Sequence, residues 1–145
     1  MSRQIFKIDI MAEFKLNDGN PVQLKIDPNY DQTKIYISVD VIPENDIIKV
    51  GGMSNVNCIN FEILDLIFKD YSLDYSFKLY TKILNVEVHA TKFKVKESDL
   101  TPDKIPVTCK LNIEAGDNFI KEYTLDDTSD LTINSVFIYK IEFLK

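Results

Sequence analysis

His89 is the only histidine in the chain, so any Ser-His-Asp or Cys-His arrangement would have to use it. It stands between Val88 and Ala90 in an alternating apolar run, with no nucleophile motif beside it. It reads as a strand-face imidazole with an ordinary hydrogen bond. One histidine and two scattered cysteines, Cys58 and Cys109, are too few soft ligands for a zinc site. The cysteines lie far apart in apolar, strand-like contexts and read most simply as buried free thiols, with one disulfide left open. Asp27, Asn29 and Asp31 mimic the opening of a calcium loop, and Asp126, Asp127 and Asp130 form a second acidic cluster. Neither continues into the glycine and terminal glutamate of an EF-hand, so turn formation through the backbone accounts for both. Glu97 with Asp99 reads as solvated loop carboxylates rather than an acid/base pair, and Gly51-Gly52 is too short to cradle a phosphate. No catalytic residue, metal or cofactor is expected.

Lys92, Lys94 and Lys96 form the most suggestive group, because they alternate with Phe93 and Val95 and should project three ammonium groups from one strand face. Edge lysines protect a strand from pairing with other chains, which is the plain explanation. The functional one is a basic strip for anionic lipid headgroups on an otherwise acidic protein.

The elements that would carry these residues are strands. From Leu73 to Ile83 every second residue is large or β-branched, which predicts a strand with one buried and one wet face. The phase changes at Leu84 to Leu84, Val86, Val88 and Ala90, and again to Phe93 and Val95. This stretch is therefore one long bent strand, or two strands broken near Leu84-Asn85. Upstream, Phe6, Ile8, Ile10, Ala12, Phe14 and Leu16 alternate with polar residues. After the turn Asn17-Asp18-Gly19-Asn20-Pro21, Val22, Leu24 and Ile26 resume the pattern, so the first two strands read as a hairpin. Ile35 to Val41 is a third strand, and Ile47 to Val50 a short one ended by the glycines. Val56 to Phe68 is apolar on both phases and favours a strand covered on both sides. Ile105 to Ala115, Phe119 to Leu125 and Leu131 to Leu144 complete the series. The expected core comprises Phe6, Ile8, Ile10, Phe14, Leu73, Phe77, Leu79, Val107, Leu111 and Ile113.

The expected fold is all-β: an antiparallel, strongly curved sheet or sandwich of about nine or ten strands. The 145 residues read as a single domain, 1–145, without repeats. The formal charge of −6, with Arg3 the only arginine, argues against nucleic-acid binding. No run approaches a transmembrane span, and the N-terminal residues do not form a signal peptide.

The stretch FKLNDGNPVQLKIDPNYDQTKIYISVDV, with the β run to Val95, resembles the small OrfX proteins of clostridial, botulinum-type neurotoxin gene clusters. The resemblance implies a noncatalytic accessory protein that joins a larger OrfX partner. It also implies a relation to the tubular lipid-binding (TULIP) superfamily, in which a curved sheet wraps a long helix, and binding of phosphoinositide lipids. Lys92, Lys94 and Lys96 would then meet the headgroups. Secretion without a signal peptide, or else a cytoplasmic location, follows from the same resemblance. A chain with no obvious long helix should supply only part of such a unit and leave an apolar surface for its partner. Ile59, Phe61 and Ile63, with Phe137, Tyr139, Ile141 and Phe143, are the expected partner-binding residues. The alternative is a ligand- or carbohydrate-binding β-sandwich module using tyrosine platforms.

Overall fold

A computed structural model describes residues 11–44, 46, 48–95, 106–128 and 134–145. It is an all-β sandwich of ten strands in two mostly antiparallel sheets. In chain order the strands are β1 (Met11–Lys15), β2 (Val22–Lys25), β3 (Lys34–Pro43), β4 (Ile48–Asn57) and β5 (Phe61–Asp65). Then come β6 (Phe68–Tyr75), β7 (Ile83–Lys94), β8 (Val107–Ala115), β9 (Asn118–Asp127) and β10 (Asn134–Leu144). One sheet runs β1-β10-β7-β4-β5, with β2 also paired to β10, and the other runs β6-β3-β8-β9.

Period-two alternation builds both layers. On β8, Val107, Cys109, Leu111, Ile113 and Ala115 point inward and are buried, with the residues between them half-exposed. On β7 the same holds for Leu84, Val86, Val88 and Ala90. The phenol of Tyr139 on β10 crosses between the sheets and donates to the Cys109 carbonyl at 2.8 Å. A buried hydroxyl needs such a partner.

The first two strands do not form a hairpin. Each pairs with β10, and both pairings are parallel. The connecting turn explains this, since Asn17, Asp18 and Gly19 all take left-handed φ (52°, 55° and 88°). The chain is displaced there and carries on in its original direction along the same neighbour. Of the expected core residues, Phe6, Ile8 and Ile10 lie outside the described residues, and Phe14 stacks on Phe137 with ring centroids 5.6 Å apart.

The long central stretch is two strands, but the break comes before Leu84. Ser76–Leu79 forms a single helical turn, α1, and Thr81 takes φ 66°. The Ser76 hydroxyl donates to the Tyr30 carbonyl, and the Tyr80 hydroxyl to Asp31 Oδ1. These contacts hold the corner. Leu79 is consequently core, whereas Phe77 turns outward and is exposed, against expectation, and Leu73 is half-buried. Helical geometry accounts for the split, because residues two apart on a helix lie on different faces.

β4 runs straight through the two glycines instead of ending at them. A Cβ on Gly52, whose φ is +144°, would lie 2.0 Å from the His89 carbonyl oxygen on β7, so only glycine permits this approach. The two-faced apolar segment from Val56 to Phe68 is the end of β4, a turn, all of β5 and the start of β6. Parts of three strands, separated by two short connections, stand where the apolar pattern predicts one strand.

Candidate functional site

Lys92 is not a surface ammonium. The inward phase of β7 continues past Ala90 without the second flip, so Lys92 points into the sandwich while Phe93 and Val95 are exposed. Its side chain is 1% exposed, and its Nζ lies 2.5 Å from Asp127 Oδ2. This contact is ionic rather than a well-angled hydrogen bond, for the ammonium has no hydrogen-bond partner among the described residues. Ser135 Oγ, also buried, donates to the same carboxylate oxygen at 2.7 Å. Lys92 and Ser135 come from one sheet and Asp127 from the other, so the three tie the sandwich together at one end. Burying a lone charge is too costly to tolerate, which is why Lys92 and Asp127 occur as a pair. The strip of three ammonium groups is therefore corrected at its first member. Lys94 ends β7, and Lys96 lies outside the described residues.

The remaining polar groups follow turn and strand chemistry. Asp27 Oδ1 accepts from the Asn29 backbone N–H at 2.9 Å, as turn formation requires. Asp126 accepts from the Thr108 hydroxyl at 2.9 Å. Its neighbour Asp127 is a fully buried ion-pair member at the end of β9, which turn formation does not explain, and Asp130 lies outside the described residues. His89 is on the outer face, 3.3 Å from Glu87. Glu97 and Asp99 lie outside the described residues. Cys58 and Cys109 are free thiols; burial pushes Cys58 up to about 11 and Cys109 to about 12, so neither is an activated nucleophile. Among the described residues no three His, Cys, Asp or Glu side chains are grouped to hold a metal, and no helix is long and apolar enough to cross a membrane.

The expected partner-binding residues divide sharply. Phe137, Tyr139, Ile141 and Phe143 are fully buried, because β10 has neighbours on both edges and the second sheet across its inner face. They are core, and cannot meet a partner. Ile59, Phe61 and Ile63 are exposed, Phe61 and Ile63 at 59% each. Phe61 and Ile63 occupy β5, which among the described residues ends its sheet and pairs only with β4.

The short Leu66–Ile67 connection brings β6, the edge of the other sheet, to the same side of the molecule. Burial, and then the Glu62 carboxylate, push the Tyr71 phenol up. A shallow cavity of about 30 Å³ between the β4–β5 turn and β6 is lined by Val56, Cys58, Ile59, Asn60, Tyr71 and Leu73. The open side thus offers exposed Phe61 and Ile63, exposed Ile59 and Ile67, and the edges of two strands that no described residue pairs with. Backbone N–H and C=O groups along such an edge can accept another strand.

Two other surface features are less equipped. A cleft of about 460 Å³ is lined by Tyr36, Lys69, Asp70, Glu114, Gly116 and Asp117, a mostly charged wall. The exposed rings of Tyr75 and Phe77 stack on each other, and Lys34 and Lys78 each place an ammonium over a ring, 5.5 and 5.9 Å from the centroids. Those aromatic faces already have occupants, which disfavours them as sugar platforms. Comparison with family models, with curated proteins and with solved structures finds no match to this chain.

Proposed function

We propose that this chain is a noncatalytic accessory subunit that assembles with a larger protein, as the resemblance to small OrfX proteins implies, and that β5 is its docking edge. The single observation behind this reading is the exposure of Phe61 and Ile63 on a strand whose outer edge pairs with none of the described residues. Soluble proteins ordinarily shield such an edge with lysine, proline, a bulge or a covering loop. β5, reading Phe-Glu-Ile-Leu-Asp, carries no lysine and no proline. The lipid part of the reading is weaker by one cation, since Lys92 is inside, and it rests on Lys94 and Lys96.

The test is co-purification from the native source, comparing the wild-type chain with Phe61→Lys/Ile63→Lys. The expected result is a stoichiometric larger OrfX-type protein with the wild type and its loss with the variant, at unchanged circular dichroism. Recovery of no stoichiometric partner, or equal recovery by both chains, overturns the proposal.

A further inference from the structure

The open side of the sandwich is acidic as well as apolar. Residues 61–75, which form β5, its connection and β6, carry four carboxylates, Glu62, Asp65, Asp70 and Asp74, against one ammonium, Lys69. Glu62 and Asp65 lie on β5 itself and are exposed. We infer that the occupant of this edge is a basic edge strand from a different protein, with apolar residues opposite Phe61 and Ile63, and not a second copy of this chain. The inference rests on the assembly reading above and names the chemistry of the partner.

Register arithmetic disfavours the second copy. If two β5 strands pair antiparallel so that Phe61 meets Ile63, Glu62 falls directly opposite Glu62. If the pairing is centred on Ile63, each Phe61 faces an Asp65 carboxylate. Like charges directly opposite destabilise a strand pair, and so does an aromatic ring set against a carboxylate that must stay wet. An incoming strand with apolar residues toward Phe61 and Ile63 and lysines toward Glu62 and Asp65 meets neither conflict. Complementary charge would also select it from other strands and speed its approach. The carboxylates then have one task in each setting: they keep free copies apart and admit a cationic partner.

The experiment uses the full chain with two blocked five-residue peptides, Lys-Val-Val-Lys-Val and Glu-Val-Val-Glu-Val, which in antiparallel register set their charged residues opposite Glu62 and Asp65 and valine opposite Phe61 and Ile63. Each is N-methylated along one edge so that it cannot stack on itself. Labelled-peptide anisotropy gives affinity, amide shifts from NMR give the place, and sedimentation gives the oligomeric state. The valine–lysine peptide is expected to bind about tenfold more tightly than the valine–glutamate one, a sum of two reversed charge pairs. Its shifts should fall on 61–65, the preference should invert in Glu62→Lys/Asp65→Lys, and the free chain should stay monomeric. Equal binding of the two peptides, shifts confined to another surface, or a dimer abolished by Phe61→Lys/Ile63→Lys would overturn the inference. If charge preference is absent while the native partner is still captured, only this inference falls. Loss of both peptide binding and native capture takes the assembly reading with it.

Discussion

β10 and β5 are written in the same residue types, and the fold treats them in opposite ways. On β10, Phe137, Tyr139, Ile141 and Phe143 alternate with Ile138, Lys140 and Glu142 and are fully buried. On β5, Phe61 and Ile63 alternate in the same manner and stand in solvent. The difference is one of neighbours. β10 pairs with β7 along one edge and with β1 and β2 along the other, and its inner face meets β8 through the Tyr139–Cys109 hydrogen bond. Among the described residues β5 has β4 alone, and its Phe61 and Ile63 side chains project from the face opposite to that of Leu64, which is half-buried. Alternation tells which residues share a face. It leaves open whether anything covers that face, and the uncovered one is where function is to be sought.

The comparison can be broken most forcefully at the buried end of the closed region. Asp127→Ala leaves the Lys92 ammonium inside with no countercharge and should destabilise by ~3–5 kcal/mol. Lys92→Met/Asp127→Leu, which removes both charges and keeps the volume, should recover most of that loss. Urea unfolding measures both, and a double variant as unstable as the single one would mean that the pair holds the sheets together by more than mutual neutralisation.

The next contrast sets the two strands directly against each other. Phe143→Ala should cost ~3–5 kcal/mol, because a buried ring is lost and a cavity remains. Phe61→Ala should stay within ~0.5 kcal/mol, since its ring is largely in water already. Thermal or urea midpoints decide. Similar losses for the two would show β5 to be covered in solution.

Smaller, and sharper about depth, is the response to alkali. Burial raises Cys58 from 9.0 to about 11 and Cys109 from 9.0 to about 12, and it also raises the Tyr139 phenol. A raised folded-state value means the unfolded chain loses its proton first. Stability is therefore fully present below about pH 9 and declines as pH climbs through 9 toward 11–12. Cys109→Ala should flatten the decline in urea midpoint more than Cys58→Ala, which sits beside the open edge. A larger effect from Cys58 would place the better-buried thiol on the wrong side of the comparison.

The period-two pattern carried a great deal by itself. It determined that the chain is all-β, where most strands run, and that Val107, Leu111 and Ile113 belong to the core. It also marked the phase change at Leu84 and the apolar character of Ile59, Phe61 and Ile63. These are legible because a pleated strand sends successive side chains to opposite faces whatever it packs against. Only the tertiary structure decided the rest. A helical turn at Ser76–Leu79 broke the central run and put Phe77 outside, because corner contacts from Tyr30 and Asp31 outweigh local alternation. Lys92 looked like a surface cation until the unbroken phase of β7 carried it inward, where Asp127, 35 positions along the chain, was waiting on the other sheet. Likewise the parallel pairing of β1 and β2 with β10, and the solitude of β5, depend on partners far apart in sequence. A strand encodes its own two faces within a few residues, but the identity of its neighbours is settled only when distant segments meet, and the open edge belongs to that second kind of information.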